Sequence, residues 1–62
     1  MIKEMRERRG FSQKQLAEKA GINISQVQKL EAGTIKFENV TVRNGLAIAK
    51  ALEIPIESLL GE

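Results

Sequence analysis

Five residue types are missing from this chain of 62 residues: cysteine, histidine, aspartate, tyrosine and tryptophan. Without cysteine, no disulfide supplements the core and no thiolate holds a metal. Without histidine, the chain lacks the side chain most used for acid-base work near neutral pH and for metal ligation. The serines, threonines, lysines and glutamates that remain are scattered, with no base placed to activate a nucleophile. The sequence therefore argues against an enzyme, and against a metal or other cofactor. Aromatic residues are limited to Phe11 and Phe37, too few for the stacking platforms that bind single-stranded nucleic acid. Met1 to Glu4 runs straight into charge, and the apolar run Leu46 to Ala49 is far too short to cross a bilayer. No membrane partner is expected, and the expected address is cytoplasmic.

What is present fits one small domain over residues 1–62, a size that buries only about 60% of its unfolded surface. No room is left in it for a separate small-molecule effector pocket. Ten Lys and Arg against eight acidic residues give a net charge of +2, which permits nucleic-acid binding without requiring it.

The stretch Ser12 to Gly33, SQKQLAEKAGINISQVQKLEAG, organises the rest. It reads as two short amphipathic helices meeting at Gly21, with Ala17 four residues before and Val27 six after. Helices that cross steeply over a tight turn need a small residue at the contact, a residue that accepts positive φ, and a branched apolar plug. Ala17, Gly21 and Val27 meet those demands in that order. Ser12 with Gln15 forms a capping-box pattern at the start of one helix, and Asn23 with Gln26 repeats it at the start of the next. On a helical wheel Val27 and Leu30 set the buried direction. Ser25 then points away from the core, Gln28 and Lys29 lie outside, and Ile24 sits at the edge.

Around this stretch, Ile2 to Arg9 is predicted as a first helix, ended by Gly10 and followed by Phe11 as an apolar anchor. Thr34 to Val40 has no period but is apolar enough to be an ordered loop. Thr41 caps a fourth helix, for which Val42, Leu46, Ala49 and Leu52 form the predicted buried stripe. Gly45 inside it costs about 1 kcal/mol relative to alanine. Pro55 opens a short fifth helix with Ile56, Leu59 and Leu60 on one apolar face.

These elements, IKEMRERRGFSQKQLAEKAGI, then SQVQKLEAG, then LAIAKALEIPIESLL, resemble the helix-turn-helix DNA-binding domain of the phage repressor and Cro family, the xenobiotic-response-element type. The resemblance spans nearly the whole chain and implies an all-α, five-helix, lambda-repressor-like fold with its motif at residues 12–33. It implies that Ile24, Ser25, Gln28 and Lys29 touch base edges in the major groove, the same side chains the wheel turns outward. It implies that Gln13 clamps a phosphate and braces the recognition helix, and that Arg6 and Glu31 form a structural ion pair. Lys14, Lys36 and Arg43 are candidate phosphate contacts: each alone reads more readily as a solvated charge, and together they form a positioning set. The chain departs from the family pattern at Ala32, where an asparagine that donates to phosphate is usual, in a longer loop over residues 34–40, and at Gly45. Phe37 is expected to fold over Gly45 and fill the missing side chain's space.

The function expected from these residues is sequence-specific binding of double-stranded DNA by a transcriptional regulator. A homodimer on an inverted repeat is expected, because one recognition helix reads few base pairs. The alternative is a protein-interaction module, an antitoxin or adaptor built on the same helices.

Overall fold

Helix boundaries fall where the sequence supplies caps. The structure, a computed structural model, describes residues 2–60; Met1, Gly61 and Glu62 of the expected 1–62 domain lie outside the described residues. Among the described residues five α-helices follow one another: α1 (Ile2–Arg8), α2 (Gln13–Ala20), α3 (Ile24–Ala32), α4 (Val42–Leu52) and α5 (Ile56–Leu60). A 3-10 helix, Phe37–Asn39, lies in the loop before α4, and no strand occurs among the described residues. Among the described residues, no helix is long and apolar enough to cross a membrane.

Ser12 caps α2 with both halves of a capping box in place: its side chain accepts from the Gln15 amide, and the Gln15 side chain accepts from the Ser12 amide. Gly21 ends α2 at φ 68°, a conformation that costs any residue with a Cβ. The chain thereby reverses within three residues, and the Ile22 amide donates back to the Ala17 carbonyl at 3.0 Å. Residue Glu53 takes the same left-handed conformation at the end of α4 without being glycine. Arg9 compensates by donating to the carbonyls of Leu52 at 3.0 Å and Glu53 at 3.5 Å.

Leu16, Val27, Ile48 and Leu52 are fully buried at the centre, with Ile2, Ala17, Ala49 and Leu59 around them. Helix α2 packs on both α3 and α4, α5 closes against α4, and α1 touches α3. Ala17 of α2 and Val27 of α3 both lie in this buried cluster, where the two helices pack.

Three readings of the sequence need correction. The buried face of α4 is Gly45, Ile48, Ala49 and Leu52. Val42 and Leu46 are instead 75% and 51% exposed. The cause is Gly45: a Cβ there would lie 3.3 Å from Phe37 Cζ and 3.6 Å from Ile56 Cδ1. Two neighbours press onto the bare backbone, so the helix turns its glycine inward and rolls Val42 and Leu46 out. In α5, Leu59 completes the core while Leu60 stays half-exposed. At α3, Asn23 accepts from the Ser25 amide, and the Gln26 side chain does not return to close a box; it engages Asn44.

Phe37 is half-buried and covers Gly45 as the sequence led us to expect. Gly45→Ala should therefore stabilise a Phe37→Ala background by about 1 kcal/mol through helix propensity. In the native background the gain should be smaller, because Phe37 must yield. Thermal denaturation of the four chains checks this, and equal effects in both backgrounds would contradict the contact.

Candidate nucleic-acid interface

Helix α3 has two unlike sides. Val27 is fully buried and Leu30 half-buried, whereas Ser25, Gln28, Lys29 and Ala32 are exposed and Ile24 is 37% exposed. Ile24, Ser25, Gln28 and Lys29 thus share one outward face, apolar at its start and cationic toward its end. Four hydrogen-bonding or methyl-bearing groups on an exposed helix are the equipment that major-groove reading needs.

The far end of α3 is locked. Arg6 Nε donates to Glu31 Oε2 at 2.6 Å and Arg6 Nη2 to Glu31 Oε1 at 3.1 Å, a two-pronged pair. The two side chains are 11% and 6% exposed. Arg6 also donates to the Phe11 carbonyl at 2.8 Å, which ties the α1–α2 turn to the same point. Gln13 Nε2 donates to Glu31 Oε1 at 3.0 Å. One carboxylate therefore joins α1, α2 and α3, and Gln13 keeps a second N–H and its carbonyl oxygen for other partners.

Burial alone pushes the Glu31 carboxyl up, but the hydrogen bonds from Arg6 and Gln13 and the charges of Arg6 and Lys3 outweigh it, leaving its pKa below the ordinary glutamate value. The hydrogen bond to Glu31 in turn raises the Arg6 guanidinium, against the penalty of burial.

Lys14, Lys36 and Arg43 are all exposed. They stand at three different starts: the first turn of α2, the residue before the 3-10 helix, and the first turn of α4. None of them takes part in an ion pair among the described residues. Their charges are free to meet a polyanion, on three separate elements.

Sequence reasoning missed two contacts near this surface. Asn44 Nδ2 donates to Gln26 Oε1 at 3.1 Å, linking α4 to α3. Lys19 Nζ sits 5.2 Å from the Phe11 ring centre, a cation over an aromatic face. The first carried a signal: an amide side chain at the third position of each of two capped helices.

The Glu31 cluster has a testable consequence. A carboxyl whose pKa is lower folded than unfolded stabilises the fold fully above the unfolded value, about 4.3, and loses that stabilisation as pH falls through the folded value. Glu31→Gln should cost about 2 kcal/mol at pH 7, and the deficit should shrink as acid melts the native pair. Melting curves between pH 7 and pH 2 read this, and parallel profiles for the two chains would contradict it.

No curated protein and no solved structure matches the chain at a significant level. A protein-family model described as helix-turn-helix matches residues 2–59, covering every helix but the last residue of α5. With two capped helices crossing at Gly21 and five helices in the lambda-repressor-like order, the chain belongs to the phage repressor and Cro-type helix-turn-helix family, a family of DNA-binding, transcription-regulator-like domains.

Proposed function

We propose that this chain binds double-stranded DNA sequence-specifically as a cytoplasmic transcriptional regulator, with α3 in the major groove. The observation that carries this reading is the outward face of α3, exposed at Ile24, Ser25, Gln28 and Lys29 on a helix anchored by Val27 within the core and by Glu31 at its end. In this role Lys29 donates to guanine, Gln28 pairs with adenine or a phosphate, and Ser25 serves either base. Ile24 meets a thymine methyl. Gln13 uses its remaining N–H on a phosphate while Glu31 holds the other. Lys14, Lys36 and Arg43 add positioning contacts, each contributing about 0.9 to the slope of log affinity against log salt.

A single α3 reads only a few base pairs, so the protein acts as a homodimer on an inverted repeat with its recognition helices about 34 Å apart. The exposed Val42, Leu46 and Leu60 offer apolar surface for contact with another protein. The same surface favours a second reading, an antitoxin or adaptor that binds a partner with these helices. Salt-dependent binding to duplex DNA separates the two.

Selection from a random duplex library at physiological salt should recover an inverted repeat, and no enrichment would favour the interaction module. On the recovered site Lys29→Ala should lose roughly tenfold in affinity with a smaller loss on random duplex. Gln13→Ala should weaken both alike. Equal losses on the two DNAs for Lys29→Ala would reduce that lysine to a phosphate contact.

A further inference from the structure

Helices α3 and α4 begin with the same promise and break it in the same way. Asn23 with Gln26, and Thr41 with Asn44, each space a cap and an amide side chain as a capping box does. The caps themselves work: Asn23 accepts from the Ser25 amide and Thr41 Oγ1 from the Asn44 amide at 3.2 Å. The amide side chains do not turn back to their own caps. Asn44 Nδ2 donates to Gln26 Oε1 at 3.1 Å instead, and both side chains are half-buried. Among the described residues this is the one hydrogen bond between α3 and α4, each of which packs chiefly on α2.

The bond joins first turn to first turn. Ile24 and Ser25 stand immediately before Gln26, and Arg43 immediately before Asn44. We propose that Gln26 and Asn44 form a positioning strut, which fixes the register between the base-reading turn of α3 and the phosphate-facing Arg43 of α4. This rests on the DNA-binding reading above and deepens it. Phosphate contacts set where a protein lies on the duplex, and base contacts read sequence only if that placement is held to a fraction of an ångström. The strut therefore governs discrimination between sequences. Its loss should lower stability only slightly, because alanine's helix propensity offsets part of the one part-buried hydrogen bond removed, so the main effect is on discrimination.

The test uses Gln26→Ala, Asn44→Ala, the double variant, and the exchange Gln26→Asn with Asn44→Gln, which keeps the combined side-chain length. Affinity for the selected site and for random duplex is measured at one salt concentration, well below each melting temperature. Each single variant should lose about fivefold on the selected site, within the range by which residues that touch no ligand change a binding equilibrium. Loss on random duplex should stay under about twofold. The double variant should lose no more than either single, as coupled partners do, and the exchange should recover part of the loss. Additive losses, equal losses on both DNAs, a drop in melting temperature with discrimination unchanged, or an exchange no better than the double variant would each overturn the strut. A wild-type chain that prefers no duplex sequence overturns the function itself, a failure visible before any variant is made.

Discussion

The Glu31 carboxylate is the constraint on which the outward face of α3 depends. It stands in the last turn of α3, where the helix's own dipole is negative and a second negative charge is unfavourable. Arg6 meets it with two N–H groups and Gln13 with a third. The unfavourable position is thereby turned into a joint for three helices. Removing one partner leaves a poorly hydrated charge, a loss that a domain of this size cannot easily absorb. The joint also explains why α3 holds its orientation although only Val27 of its residues is fully buried.

The closing half of the chain supports the same helix from the other side. Phe37 and Ile56 press onto the bare backbone of Gly45, which seats the long loop and α5 against α4. Arg9 reaches from the end of α1 to the last carbonyls of α4, where Glu53 holds its left-handed turn. Asn44 carries that frame back to Gln26. The Glu31 joint, the Arg9 contacts and the Gln26–Asn44 bond thus tie the helices together at three separate points around an apolar centre.

Much of this was legible in the chain itself, because local chemistry determined it. Ser12 and Gln15 announced α2, Gly21 the turn, and Val27 the buried side of α3, since capping and helical period act over a few residues. The pairing of Phe37 with Gly45 was legible as a coincidence of one surplus ring and one absent side chain. The roll of α4 was not, because a pattern of apolar side chains gives no weight to a buried glycine, and Gly45 carries the contact that turns Val42 and Leu46 outward. The Gln26 and Asn44 bond was hidden for a different reason. Each residue had a sound local use as a cap partner, and only the approach of two helices eighteen residues apart made a better one.

The most direct measurement is amide-resolved nuclear magnetic resonance of the wild-type chain titrated with its selected duplex. The account predicts that the largest shift changes fall on Ile24, Ser25, Gln28 and Lys29, with a second group at Gln13, Lys14, Lys36 and Arg43, while the buried Leu16, Ile48 and Leu52 stay nearly fixed. Shift changes concentrated on α5 and the exposed Val42 and Leu46, with the outer face of α3 silent, would contradict it.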